Sequence, residues 1–176
     1  MTADDIEIRL VTAEDAGELL TLRRAAFVTE AQLANDPFIP PLTQTLKELR
    51  ADLSAPGVIT VGMWQRHRLV GSIRVLVEGS KATLGRFAVA PDQQGKGVGT
   101  HLLDAVATFL PDGISEVWIF TARDSVQNIA MYTRRGYEYQ HDRTAGDLTY
   151  AYLRRFLGRD PGEELEPADD GAATED

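Results

Sequence analysis

The chain has 176 residues, 43% of them hydrophobic, which is enough for one domain with a complete core. It contains no cysteine, which excludes disulfide bridges, thiolate metal ligands and a cysteine nucleophile. The net charge is −9, but eight acids and one base lie within residues 159–176, so residues 1–158 carry only −2.

The uneven charge predicts two parts. Residues 1–158 are expected to form a single domain, and residues 159–176 an acidic disordered tail, because that segment has almost no apolar mass. The N-terminus is acidic, whereas a secretory signal is basic and then apolar. No apolar run approaches the roughly 18 residues of a membrane span. We therefore expect a cytoplasmic protein without a membrane partner.

The first half of the domain combines helices with a three-stranded meander. Period-two alternation indicates the strands, and apolar residues at helical spacing indicate the helices. In order we predict a strand at 6–11, a helix from 12 to about 27, a loop through Pro41, a helix at 43–53, and antiparallel strands at 58–64, 69–77 and 82–90. The loop between the two helices would border a substrate site. Gly85, inside the last strand, suggests a bulge.

The second half alternates helices and strands. We predict a helix from about 97 to 110, a strand at 116–122, a helix from about 126 to 134, and a closing antiparallel pair at 137–139 and 148–153. A helix joins strands 82–90 and 116–122, so these two should be parallel. The result is an α/β fold with a mixed central sheet, flanked by about four helices.

The stretch from Leu84 to Leu103 carries the clearest motif. An apolar run is closed by Pro91, and three glycines at alternate positions (95, 97 and 99) precede an apolar helical pattern. Glycine permits close backbone approach, and the N–H groups of a first helical turn favour an anion such as phosphate. The glycine spacing excludes both a Walker A loop and a dinucleotide fingerprint.

Two motifs resemble the GCN5-related N-acetyltransferase (GNAT) family. The segment Gln94-x-x-Gly-x-Gly99 is similar to the family's Gln/Arg-x-x-Gly-x-Gly/Ala, and Ser125–Tyr137 is similar to its Ser/Asn-x-x-Asn/Ala-x-x-x-Tyr-x-x-x-Gly-Phe/Tyr. The element order β-α-α-β-β-β-α-β-α-β-β also resembles that of the family, over about residues 6–157. The resemblance implies a GNAT fold, with the parallel strand pair at the cofactor site and acetyl-coenzyme A as co-substrate.

The same resemblance assigns roles to individual residues. Backbone groups of Phe87, Ala88 and Val89 would hold the pantetheine arm, and the N–H near Val89 would polarise the thioester carbonyl. Asn128 would contact the cofactor from the other side. Tyr132 would also contact it and, as general acid, protonate the departing thiolate. The pyrophosphate would be held by the turn and helix start: Gln94, Gly95, Lys96, Gly97, Val98, Gly99 and Thr100.

The general base is less well determined. An alkyl amine is mostly protonated at neutral pH, so some group must take its proton. Glu30, Glu78 and Asp124 all lie near predicted loop or strand ends on the expected substrate side, and Arg86 stands where some relatives have a glutamate. We favour Glu30 as a catalytic residue because it starts the variable loop.

The function implied is transfer of an acetyl group from acetyl-coenzyme A to a primary amine of a small molecule or peptide, by direct attack in a ternary complex. The alternative is a catalytically idle coenzyme A-binding module that acts as a sensor or protein-interaction domain. A homodimer is compatible with the resemblance. No metal is expected, because the three histidines lack ligand spacing. No nucleic-acid partner is expected, because no dense basic run occurs.

Overall fold

One seven-stranded sheet organises the computed structural model, which describes residues 6–158. Its strands are β1 (Ile6–Leu10), β2 (Val58–Gln65), β3 (Arg68–Glu78), β4 (Lys81–Val89), β5 (Glu116–Ala122), β6 (Glu138–Ala145) and β7 (Leu148–Phe156). Their order across the sheet is β1-β2-β3-β4-β5-β7-β6, and every neighbouring pair is antiparallel except β4 and β5. The predicted mixed α/β sheet is confirmed. The predicted acidic tail lies outside the described residues.

Six α-helices flank the sheet within residues 6–158. They are α1 (Ala16–Ala26), α2 (Val28–Leu33), α3 (Pro40–Thr43), α4 (Leu46–Leu53), α5 (Val98–Ala105) and α6 (Val126–Thr133). The predicted loop through Pro41 is wrong, because α2 and α3 lie there. The α2 segment consists largely of ordinary helix formers, and two prolines begin α3, where a missing N–H costs nothing. No helix of the described part is long and apolar enough to cross a membrane.

The helices cover opposite faces of the sheet. Helices α5 and α6 pack on one face through residues such as Leu102 and Tyr132, and α1 and α4 pack on the other through Leu19 and Leu49. A capping box starts α4 at Leu46, since the backbone N–H of Glu48 donates to Thr45 Oγ1 (3.2 Å). Each face therefore has its own apolar core.

A bulge interrupts β4 where it pairs with β3. Ser72 opposes Ala88 while Arg74 opposes Gly85, so two residues of β4 stand against one of β3. Arg86 adopts the left-handed region with φ +47°, so the bulge lies one residue after the predicted Gly85. Leu84 before the bulge and Phe87 after it both face the α5 core. The bulge thus shifts by one residue the alternation of β4 side chains between the two faces of the sheet. As a result, Arg86 and Ala88 point toward α1.

The parallel pairing of β4 and β5 is short. It runs from Lys81 opposite Glu116 to Leu84 opposite Ile119. Beyond that point both strands continue without pairing to each other in the described structure. This leaves an opening, here called the β4/β5 gap, between residues 85–89 and residues 120–122.

Candidate active site

The β4/β5 gap exposes unpaired backbone groups of β4. The N–H of Ala90 donates to Val70 O (2.8 Å), which directs it toward β3. Successive N–H groups of an extended strand point to opposite sides, so those of Val89 and Phe87 face the gap and that of Ala88 faces β3. Two of the three backbone positions expected to hold a pantetheine arm therefore present donors to the gap.

A glycine turn connects β4 to α5 beside this gap. Gly95 (φ +74°) and Gly97 (φ +85°) adopt left-handed conformations that favour glycine. Gly97 caps α5, whose first N–H groups lack intrahelical acceptors and face an anion favourably. A Cβ on Gly99 would come within 3.2 Å of Phe87 Cζ, so glycine permits α5 to approach β4 closely. The structure thus fits a phosphate-holding turn, with Lys96 exposed beside it.

Helix α6 lies next to the start of α5 and the end of β5. The side-chain amide of Asn128 donates to Thr121 Oγ1 (3.2 Å), and Thr100 Oγ1 donates to Met131 Sδ (3.8 Å). Tyr132 is buried, with its ring centroid 6.1 Å from that of Tyr137. Burial raises the pKa of Tyr132 well above its usual 10, so the phenol stays protonated at neutral pH.

Glu30 approaches the same end of the sheet from α2. The hydroxyl of Tyr150 donates to Glu30 Oε1 (3.3 Å), and Tyr150 opposes Ala122, the last residue of β5. Burial raises the pKa of Glu30 above 4.5, and the hydrogen bond from Tyr150 opposes that shift. Burial and the neighbouring carboxylate raise the pKa of Tyr150 to about 12. A carboxylate with a raised pKa is therefore available near the gap.

The other two candidate bases are placed differently. Glu78 is exposed and opposes Lys81 in the hairpin between β3 and β4. The expectation that Glu78 lies on the substrate side is wrong, because β4 carries the chain about 26 Å from there to Val89 at roughly 3.3 Å per residue. Asp124 is exposed in the loop after β5. Glu30 and Asp124 thus remain at the end where β4 and β5 diverge.

An aromatic wall, missed by sequence reasoning, borders the gap on the α1 side. It consists of Phe120, Tyr150 and Tyr152, with ring centroids 5.9 Å apart for Phe120 and Tyr150, and 5.2 Å for Phe120 and Tyr152. A Cβ on Gly85 would lie 3.7 Å from the Phe120 ring, so the wall reaches the bulge of β4. The sequence signal was the alternate spacing of these aromatics, which places them on one face of adjacent strands.

Comparison with known proteins identifies the family. Residues 27–137 match the model of the Acetyltransferase (GNAT) family, which is more than half of the chain. The chain belongs to the GNAT family. The matched range contains α2 through α6 and ends at Tyr137, so Glu30 and Tyr132 lie inside it and Tyr150 lies outside.

Solved structures share the GNAT fold. The ribosomal-protein-S18-alanine N-acetyltransferase from Escherichia coli has a TM-score of 0.72 at 19% identity, covering 92% of this chain and 99% of that one. The PaiA N-acetyltransferase from Thermoplasma acidophilum, solved in complex with coenzyme A, has a TM-score of 0.70 at 20% identity, covering 89% and 100%.

One curated relative is longer than this chain. The UPF0157 protein YqkA of Bacillus subtilis is 25% identical over 123 residues, which are 70% of this chain. The match covers 34% of YqkA, so this chain spans about a third of that relative's length.

Within residues 6–158 of this GNAT protein, no cluster of three or more His, Cys, Asp or Glu side chains is arranged to hold a metal ion.

Proposed function

We propose that this protein is an N-acetyltransferase that transfers an acetyl group from acetyl-coenzyme A to a primary amine in a ternary complex. The observation that carries the proposal is the β4/β5 gap, which opens where the pairing of β4 and β5 stops and lies close to the start of α5. Helix α6, which carries Tyr132, contacts the end of β5 through the hydrogen bond from Asn128 to Thr121. The acceptor is a small-molecule or peptide amine.

The coenzyme would be held mainly by backbone groups. The N–H groups of Phe87 and Val89 would bond to the pantetheine arm, while Ala88, whose amide faces β3, would contribute by keeping the strand in place. Asn128 would close the site from α6. The pyrophosphate would lie on Gln94, Gly95, Lys96, Gly97, Val98, Gly99 and Thr100. Because the Val98 side chain is buried in the core, only its N–H would take part.

Three groups would perform the chemistry. Acetyl-coenzyme A supplies a thioester that is already activated toward an amine. Glu30 would accept the proton that the amine nitrogen loses as the new C–N bond forms. Tyr132 would give its proton to the leaving sulfur as the C–S bond breaks, and the Val89 N–H would donate to the carbonyl oxygen. Solvent would then return both side chains to their starting states.

A second candidate function is an idle module that binds coenzyme A without turnover. The observation that favours it is Arg86. By the resemblance, some relatives have a glutamate at this position, and an arginine cannot replace that glutamate as a base. Release of free thiol in the presence of an amine library separates the two, since only the enzyme produces coenzyme A from acetyl-coenzyme A.

The first test is a thermal-shift titration with acetyl-coenzyme A, with NAD and ATP as controls. A ligand at about 100 times its Kd stabilises the folded state by about 2.7 kcal/mol. For a chain of this size that corresponds to about 5–11 °C in Tm. We expect a shift for acetyl-coenzyme A alone. The absence of any shift with acyl-coenzyme A would contradict both candidate functions.

Gly97→Ala tests the turn. At φ +85°, alanine is strained by about 1–2 kcal/mol, and the turn is expected to change shape. Gly113→Ala is the matched control, because Gly113 has φ +87° and open space around its missing Cβ. We expect both variants to lose similar stability in urea denaturation, and Gly97→Ala alone to raise the KM for acetyl-coenzyme A, by about tenfold or more. If Gly97→Ala and Gly113→Ala had equal KM values for acetyl-coenzyme A, the turn would not be part of the binding site.

A further inference from the structure

A buried cluster of charged side chains lies between the sheet and helices α1 and α4. We call Arg23, Asp52, Arg74 and Arg86 the arginine cluster. Arg23, on α1, is fully buried, and none of its three guanidinium nitrogens has a hydrogen-bond partner among the described residues. A buried charge without a partner is costly, so folded proteins usually pair it. Arg23 therefore contributes a positive charge that no hydrogen-bond acceptor of the described chain compensates.

The carboxylate of the cluster is already engaged. Asp52 Oδ2 accepts from Arg74 Nε (2.8 Å), and Asp52 Oδ1 accepts from Arg74 Nη2 (2.7 Å). This bidentate pair leaves Asp52 to interact with Arg23 only at longer range. Burial, together with the charges of Arg86 and Arg74, lowers the pKa of Arg23 to about 10, and Asp52 opposes the shift. Three guanidinium groups and one carboxylate leave the arginine cluster with a net charge of +2.

Arg86 connects the arginine cluster to the β4/β5 gap. Its Nη1 is buried without a hydrogen-bond partner among residues 6–158, although the residue as a whole is partly exposed. The bulge turns it toward α1, and its backbone directly precedes Phe87, whose N–H faces the gap. The preceding Gly85 adjoins the Phe120 ring of the aromatic wall. Arg86 therefore lies on the part of β4 that adjoins both the gap and the aromatic wall.

Two neutral hydroxyls extend the same polar layer. Thr60 opposes Arg74 across β2 and β3, and Ser72 precedes Arg74 by two residues, so all three share one face of the sheet. Thr60 Oγ1 and Ser72 Oγ are buried and, within the described part of the chain, lack hydrogen-bond partners. This layer therefore holds more hydrogen-bond donors than the described chain supplies acceptors for, which favours negative charge at its accessible edge.

We propose that the acceptor amine also carries an oxyanion, a carboxylate or a phosphate-type group, which binds to Arg86, while the buried charge of Arg23 adds to the attraction from behind. This inference rests on the proposed acetyltransferase function and names the chemical class of its acceptor. Guanidinium groups match the geometry of carboxylate and phosphate oxygens, and charge-assisted hydrogen bonds are stronger than neutral ones. The net positive charge of the cluster disfavours polycationic amines. Arg86 thus recognises the acceptor, and proton transfer falls to Glu30.

The test compares amines that share a 2-aminoethyl group and end in a carboxylate (β-alanine), a phosphonate, a carboxamide or a methyl group. With acetyl-coenzyme A, we expect kcat/KM for the carboxylate or the phosphonate to exceed that for both neutral probes by at least about tenfold. The more active of the two anions identifies the oxyanion. Equal rates for charged and neutral probes would overturn the proposal.

Variants assign the preference to the arginine cluster. Arg86→Gln should abolish the preference for the anionic probe, and Arg86→Lys should restore part of it, since lysine keeps the charge and loses the planar fork. Arg23→Met should weaken the preference, because it removes one positive charge from the cluster, and should leave Tm unchanged or higher, because that charge is buried and unpaired. Arg50→Met, on the exposed face of α4, is the matched control and should keep the preference. A lower Tm for Arg23→Met with the preference retained would show a purely structural role.

A binding measurement separates failure of this inference from failure of the proposed function. If no amine releases thiol, the same four probes are titrated against the unmodified protein in a thermal-shift assay without acetyl-coenzyme A. A shift with an anionic probe that is absent in Arg86→Gln would support the oxyanion site without catalysis. In that case, no shift with either anion would overturn the inference, independently of the coenzyme A result.

Discussion

Tyr132→Phe is expected to lower kcat by about 10²–10⁴-fold, the usual contribution of a positioned proton donor. The variant removes only the hydroxyl, and the buried ring keeps its place against Tyr137. Binding of coenzyme A, followed by thermal shift, should change little because backbone groups carry most of it. Turnover is measured as release of free thiol.

The matched control for this variant is Tyr137→Phe. Tyr137 is a buried tyrosine in the same apolar core, 4% exposed against 3% for Tyr132, and burial raises its pKa to about 12. Loss of its hydroxyl should leave kcat within a few-fold of the unmodified enzyme. Similar losses in the two variants would mean that Tyr132 has a packing role, and an unchanged rate in Tyr132→Phe would refute its assignment as the acid.

Glu30→Gln is expected to lower kcat by about 100-fold or more and to remove one ionisation from the pH profile of kcat/KM. Glu30 must be deprotonated to accept a proton, so the rate of the unmodified enzyme should rise with pH through the pKa of Glu30. Burial places that pKa above 4.5, so the acid limb should lie at a higher pH than for an exposed glutamate. The part of the pH profile that reflects ionisation of the amine substrate should be unchanged in Glu30→Gln.

Three further variants show which carboxylate is involved. Tyr150→Phe removes a hydrogen bond that lowers the pKa of Glu30, so the acid limb should move to higher pH while the plateau rate changes little. Asp124→Asn tests the competing base at the same end of the sheet. Glu78→Gln, at the far end of β4, should have no effect. Loss of the limb in Asp124→Asn instead of Glu30→Gln would transfer the base assignment to Asp124.

Local sequence patterns predicted most of the fold. Apolar alternation and one buried apolar run predicted the positions of the strands, although only the first part of β6, and the glycines before Val98 predicted the start of α5 within one residue. The closing strand predicted at 137–139 was too short, since β6 extends to Ala145. The second half of β6 is polar and exposed, so no apolar alternation marks it in the sequence. Helix α2 was missed because its short segment has no apolar stripe of its own beyond Ala31.

The sequence by itself determined the family, the order of the strands and the glycine turn, because these depend on residue types at fixed short spacings. Only the tertiary structure brought Glu30 to Tyr150, which is 120 residues away, and placed Arg23 in the same buried layer as Arg86. It also showed that the bulge at Arg86 turns this side chain toward α1. Such features arise from strand register and from helix packing on the sheet, and neither leaves a periodic signal along the chain.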